Sequence, residues 1–491
     1  MAPTIFSISP ATLLQSETWK RPSDFLVTEL AFQVPLDYSP SSAQEDTLHV
    51  VAHMVYGEKS LKKTTRVQEN WTQSILEDTS LRRRPILLYL CGGPGADNPP
   101  CRVSQMNRTL LHKGYSILYV DYRGCGDSSP VSSRKLQQRS QFDDSKKAQY
   151  LTKFGQDNIV RDLEAIRLCL SNILASGKTI KWTTLGQSYG GYISLTYLSM
   201  HPEGLQEVFI TGGLPPCGMN IENYFRVEYQ DIVARNKAFY QAYPDADALV
   251  RKIMRLISHI GPKNIQMSGR GYMTGQKLLT LGRQFGSKVG FPEVYNLLRK
   301  IESNLKTDGQ LHADTTHEFE SILHIDERPL YPILLEQTWC SGGPTRWAAE
   351  RVARTIHGFE YLRANADGAY PDIALTPAEQ PIYFNANTYC RFHYDTHEEL
   401  IDLKAAVELL AEHDWECPYD YEKLRANRLA VPVYAIVFEQ DMHLEAGVAA
   451  KTASMVGGLK VVIDPGWHQD IRYKPAEVLD NLFRQREKGK S

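Results

Sequence analysis

In Gly186-Gln187-Ser188-Tyr189-Gly190 a serine stands between two glycines at G-x-S-x-G spacing, a pattern that points to nucleophilic acyl chemistry. A serine hydroxyl attacks a carbonyl well only when a base takes its proton, so an imidazole is required, and a carboxylate to hold it. Both residue types follow late in the chain, in the order serine, acid, histidine. Glu439-Gln440-Asp441-Met442-His443 comes after a β-branched run at 433–438, and Pro465-Gly466-Trp467-His468 after another at 459–464. Asp441 lies further into its loop than Glu439, which favours it as the acid. His468 follows the last strand pattern with a glycine close before it, which favours it over His443. The tetrahedral oxyanion of such a reaction needs two backbone donors. One is the N–H of Tyr189, next after the serine, and the other comes from Gly92 or Gly93 in Gly92-Gly93-Pro94-Gly95. Hydrolysis by this route needs no cofactor and no metal.

A parallel sheet would bring these distant groups together. Short β-branched runs at 86–91, 116–121, 180–186, 207–212, 433–438 and 459–464, each bounded by Gly, Pro or Asp, predict buried parallel strands. Amphipathic segments of helical length, such as 157–170 and 189–200, lie between them and predict a doubly wound arrangement. Ser188 then falls on a sharp turn from strand to helix, where flanking side chains would collide with the neighbouring elements and glycine is required. Upstream, 25–35 and 47–55 alternate less strictly and predict an antiparallel meander at the sheet edge. The polar stretch 59–84, with Arg82-Arg83-Arg84, predicts a solvated loop.

After Gly213-Leu214-Pro215-Pro216 the pattern changes. Tyr, Arg and Leu recur at helical spacing, as in 231–243, 247–260 and 399–411, until Val431-Pro432-Val433 restarts the strand signal. The chain therefore divides into a core of 1–216, a helical cap of 217–428 and a returning core of 429–491. The fold class is α/β, a mostly parallel doubly wound sheet with a large helical cap inserted between late strands. A chain of 491 residues exceeds what one hydrophobic core supports, in keeping with this division.

Composition excludes several function classes. Hydrophobic residues at 42%, charged residues at 23% and a net charge of −2 describe an ordinary globular protein, and neither nucleic acid nor a membrane is an expected partner. No stretch reaches the ~20 apolar residues that span a bilayer, and the N-terminus lacks a basic start followed by an apolar run. Eight cysteines without a CxxC pair predict free thiols and a cytoplasmic, reducing location.

Several motifs occur together: Gly92-Gly93-Pro94-Gly95, Asp121-Tyr122-Arg123-Gly124-Cys125-Gly126-Asp127-Ser128, Asp157-Asn158-Ile159-Val160-Arg161-Asp162, and Gly186 to Gly191 followed by His201-Pro202-Glu203-Gly204. Trp347-Ala348-Ala349-Glu350-Arg351 and Asp414-Trp415 add to them within the insertion. In this combination the chain resembles the proline iminopeptidases, or prolyl aminopeptidases, and especially their long fungal branch. The resemblance implies an α/β-hydrolase fold, Ser188, Asp441 and His468 as the triad, and cleavage of an N-terminal proline. It also implies cap carboxylates that hold the substrate amine, since a cation in a closed pocket needs a paired anion. Glu336 lies where the family often has such a carboxylate. Two departures stand out. Cys91 precedes the glycine loop in place of His or Gln, and Asn387 is neutral where relatives typically show an acid, with Arg391 nearby adding a cation.

Two functions follow. The first is a serine hydrolase that releases an N-terminal proline or similar residue through an acyl-enzyme. The second is an α/β-hydrolase acting on a non-peptide ester, lactone or amide in a small-molecule, secondary-metabolite pathway, for which altered cap residues are expected. A silent binding protein that uses the cap cavity is disfavoured by the complete set of serine, acid and histidine. Either hydrolase takes a small molecule or short peptide as its substrate, with Glu336 and Asn387 as binding residues.

Overall fold

The computed structural model describes residues 3–4, 6–21, 25–40, 46–57, 84–98, 104–139, 142–174, 179–365, 368–427 and 430–488. Three long strands, β1 (Thr12–Arg21), β2 (Phe25–Pro35) and β3 (Thr47–Gly57), form an antiparallel meander. Six shorter strands follow: β4 (Ile86–Leu90), β5 (Ser116–Val120), β6 (Trp182–Gln187), β7 (Leu205–Thr211), β8 (Val433–Phe438) and β9 (Leu459–Asp464). One nine-stranded sheet results, in the order β1-β2-β3-β5-β4-β6-β7-β8-β9. β4 to β9 run parallel, and β3 joins them antiparallel through β5. β4, β5, β6 and β8 are buried along their whole length, as strands covered on both faces by helices must be.

Three strands differ from the sequence reading, each for a tertiary reason. β1 gives no strand pattern in TLLQSETWKR, and it is strand because its backbone pairs along β2 from Thr12↔Gln33 to Arg21↔Phe25. β6 starts at Trp182 and not at Ile180, whose carbonyl accepts from Arg167 and whose N–H bonds the Ser171 hydroxyl. β9 was expected to be buried but is the sheet's outer edge, where Ile463 is 55% exposed. The loop expected at 59–84 lies outside the described residues, Arg84 apart.

Between β7 and β8 the described residues are helical, with two isolated bridges, Gln266↔Tyr272 and Gly343↔Trp415, and no named strand. The first helix, Ile221–Ala242, begins ten residues before the stretch the periodicity marked, because the Asn220 side chain caps the N–H groups of Glu222 and Asn223. The predicted helix at 399–411 is broken into Glu398–Ile401 and Lys404–Ala411. Asp402 sits at the break and ties it to Arg270, Ser133 and Gln137. Further bonds fasten this layer to the sheet: Arg328 to Asp97 at 2.7 Å, Trp339 to the Tyr192 hydroxyl at 3.1 Å, and Tyr224 to the carbonyl of His443 at 3.0 Å.

The Asp121 to Ser128 motif is a clamp beneath the glycine loop. Asp121 accepts from the N–H groups of Asn98 and Asp127, while Ser128 donates to the Asp121 carbonyl and accepts from the N–H of Val51. Arg123 is fully buried and forks onto Asp162 at 2.7 and 2.5 Å, and it also donates to the carbonyls of Pro35, Leu36 and Lys153. One guanidinium thereby joins β2, the β5 loop and the helix Gln156–Leu174. Among the described residues no helix is long and apolar enough to cross a membrane. Seven described cysteines are unpaired and buried, and Cys101 lies outside the described residues.

Candidate active site

Four of the parallel strands end at one place. β4 leads into Gly92, β6 into Ser188, β8 into Asp441 and β9 into His468. Ser188 has φ 55° and ψ −122°, a conformation that few side-chain-bearing residues adopt and that only its surroundings can enforce. The helix Tyr189–Met200 that follows is buried throughout, and its Ser194, Thr196 and Ser199 hydroxyls fold back onto carbonyls four residues earlier. Close packing dictates the glycines. A Cβ on Gly190 would lie 2.0 Å from the Leu90 carbonyl oxygen, and one on Gly92 only 2.8 Å from Cβ of Ser188.

His468 Nδ1 lies 2.6 Å from Asp441 Oδ2, and both side chains are buried. The second carboxylate oxygen accepts from the N–H groups of His443 and Leu444 at 2.8 and 3.1 Å, so the acid is locked in one orientation. A carboxylate accepts only, so Nδ1 carries the proton and Nε2 is left as a base. The β8 and β9 loops are themselves joined, through Glu439 N–H to the Asp464 carbonyl and Gln440 N–H to the Gly466 carbonyl. Glu439, the alternative acid, is exposed. His443, the alternative base, packs edge-on against His468 with ring centroids 4.9 Å apart. Burial, with the neighbouring His468, pushes its imidazole down to about 3.

Ser188 and His468 line one cavity of about 450 Å³, together with Gly92, Gly93 and Tyr189. Tyr189 is the first residue of its helix, so its N–H has no intrahelical acceptor and is open to a ligand. The Cys91 thiol is buried, which pushes it up to about 12, and it contacts the Ala96 carbonyl oxygen at 3.7 Å, leaving the glycine loop in place.

The cap residues divide differently from expectation. Asn387 lines the cavity and accepts from the Tyr331 hydroxyl at 3.0 Å. Glu336 does not line it. Its helix, Leu330–Thr338, presents Tyr331, Leu335 and Thr338 to the cavity, while Glu336 Oε1 accepts from the N–H of Ala349 at 2.8 Å beside a separate pocket of about 20 Å³. Arg391 is also elsewhere. It pairs with Glu350 at 3.1 Å and Glu408 at 2.8 Å and lies over the Trp347 ring, so its charge is already matched.

Sequence reasoning missed several residues. Arg283, Glu293, Tyr331 and Trp339 line the cavity, and nothing in their local sequence marks them. Glu228, which is not among the lining residues, did carry a signal of burial. It falls on the buried stripe Ile221, Tyr224, Phe225, Glu228, Ile232, and burial pushes its carboxyl well above the usual carboxylate range. Among the described residues, Glu164, His201 and Glu203 are the one cluster with metal-ligand spacing. Glu164 is already forked by Arg167 and bonded by the Tyr197 hydroxyl, so the cluster is an ion-pair knot.

Comparison with known proteins agrees with this architecture. Residues 85–255 match the family described as alpha/beta hydrolase fold. A proline iminopeptidase of Aeromonas sobria is 31% identical over 404 residues, which cover 82% of this chain and 87% of that protein. The chain belongs to the proline iminopeptidase family. A proline iminopeptidase of Aspergillus aculeatus is 30% identical over 493 residues, 98% of each chain, so the likeness extends through the cap. That of Neisseria gonorrhoeae is 29% identical over 127 residues, 26% of this chain and 32% of its own. The chain is accordingly a hydrolase of the α/β class, as the motifs at Gly92 and Gly186 imply.

Proposed function

We propose that this family member is a serine hydrolase that releases an N-terminal proline or a similar residue through an acyl-enzyme. Ser188 Oγ attacks the substrate carbonyl, its proton passes to His468 Nε2, and that proton then goes to the departing amine. A water, deprotonated by the same nitrogen, attacks the acyl-enzyme and returns the serine. Asp441 holds the imidazole and stabilises its charged form, while the N–H groups of Tyr189 and of Gly92 or Gly93 stabilise the oxyanion. The observation that carries this reading is the 2.6 Å contact between His468 Nδ1 and Asp441 Oδ2, in a site whose cavity also holds a serine at φ 55°. The buried, unpaired cysteines favour a cytoplasmic setting.

The second reading, hydrolysis of a non-peptide ester, lactone or amide, draws support from the cavity's charges. Arg283, Arg328 and Arg472 line it against one lining carboxylate, Glu293, and Asn387 is neutral. Turnover of prolyl-naphthylamide, other aminoacyl-naphthylamides and simple esters by wild type and Ser188→Ala separates the two. Preference for the prolyl reporter supports the aminopeptidase, while ester turnover without it supports the second reading. Turnover that survives Ser188→Ala defeats both.

A further inference from the structure

Around the glycine loop the cavity carries three arginines, Arg283, Arg328 and Arg472, against one lining carboxylate, Glu293. Of the three lining arginines, two have polar partners among the described side chains. Arg328 pairs with Asp97 at 2.7 Å, and Arg472, which is exposed to solvent, donates to the Gln187 amide oxygen at 3.0 Å. Arg283 is different. Its Nη1 donates to the Leu323 carbonyl at 3.0 Å, its guanidinium lies 4.8 Å from the Tyr331 ring centroid, and no carboxylate among the described residues pairs with it. A backbone carbonyl and an aromatic face orient a guanidinium but do not neutralise it, so this half-buried cation lacks a counter-charge.

Tyr331 ties this group to the reacting centre. A Cβ at Gly93 would lie 2.7 Å from the Tyr331 ring, so Arg283 stands one ring away from the glycine loop. The Tyr331 hydroxyl donates to Asn387 Oδ1, which leaves the Asn387 NH₂ as that side chain's remaining polar end. Asn387 is 5% exposed and lines the same cavity as Arg283. Two donor groups, one of them cationic, therefore flank the Tyr331 ring in one cavity, and among the described residues no carboxylate is paired with either.

We propose that Arg283 and the Asn387 amide form a carboxylate-binding corner, and that the substrate hydrolysed at Ser188 carries a free acid group, as a dipeptide with an unblocked C-terminus does. This deepens the hydrolase reading and rests on it. A guanidinium takes a carboxylate through paired N–H donors, and a neutral carboxamide cannot replace that interaction.

The test is the ratio of kcat/KM for prolyl-phenylalanine to that for its C-terminal amide. Wild type favours the acid by about 10- to 100-fold, the range of a charge-assisted pair. In Arg283→Met the ratio falls to about 1, and Asn387→Asp, which sets a carboxylate in the corner that the substrate's own acid would enter, lowers it as well. A merely structural role depresses both substrates in proportion and leaves the ratio intact, which overturns the proposal. Should Arg283→Met fail to fold, Asn387→Asp carries the test alone. Absence of prolyl turnover would count against the aminopeptidase reading and is met by titration calorimetry with 3-phenylpropionate and 3-phenylpropionamide. Binding of the acid in preference to the amide, lost in Arg283→Met, supports the corner. Equal binding, or none of either, overturns it.

Discussion

Replacing Glu336 by glutamine is expected to confer a stability gain that grows with pH. Burial pushes this carboxyl up from its ordinary 4.5 to about 7, against the opposing pull of the Ala349 N–H, Thr345 and Arg351. A carboxyl whose pKa is raised on folding binds its proton more tightly in the folded state. The contribution of this group is therefore fully present below about 4.5, is lost as pH rises towards 7, and is gone above that. At about 1.4 kcal/mol per pH unit the whole window corresponds to about 3 kcal/mol. Part of it is spent below pH 5, and the side chain keeps some contact with solvent, so the gain between pH 5 and pH 8.5 is about 2 kcal/mol. Glutamine has no proton to release and escapes this loss. For a chain of 491 residues the unfolding entropy is about 1 kcal/mol per kelvin, so the Tm gap between variant and wild type should widen by about 2 °C over that interval. Scanning calorimetry of both proteins at the two pH values reads the gap directly. A gap that is constant, or that narrows at pH 8.5, refutes the reasoning. The same variant should leave KM for substrate unchanged, since Glu336 stands outside the Ser188 cavity.

Other perturbations probe the site and its supports. Asp441→Asn sets an amide against His468 Nδ1, favours the wrong tautomer and should lower kcat by about 10⁴-fold; steady-state turnover of a reporter substrate checks this, and a loss below about tenfold contradicts it. Gly92→Ala brings a methyl to 2.8 Å from Cβ of Ser188 and 2.9 Å from Oε1 of Gln187, so kcat should fall by about 100-fold, measured in the same assay. Asp162→Asn leaves the buried Arg123 without its counter-ion and should cost about 3–5 kcal/mol in urea unfolding, with little change in KM.

Local chemistry in the sequence marked the sheet and the residues at its strand ends. The glycines around Ser188 and the buried runs ending at Leu90, Gln187 and Phe438 owe their character to neighbours close in the chain or to burial on both faces, and such constraints leave a visible pattern. What was not legible depends on partners far away. β1 is polar and becomes strand only through β2, and the helix expected at 399–411 breaks where Asp402 bonds Arg270 and residues of the core. The cavity wall was the least legible part. Glu336 and Tyr331 lie on one helix five residues apart, a spacing that sets them on different faces, and which face meets the cavity depends on packing against Gly93 and Ala349. Arg283 sits in a short 3-10 helix of the cap, Thr280–Gly286, and gave no signal at all.

The central claim is that Ser188 is the nucleophile. Exposure to a fluorophosphonate followed by peptide mass mapping tests it most directly: the adduct should lie on Ser188 and be absent from Ser188→Ala. An adduct on another residue, or labelling that persists in the alanine variant, would contradict the account.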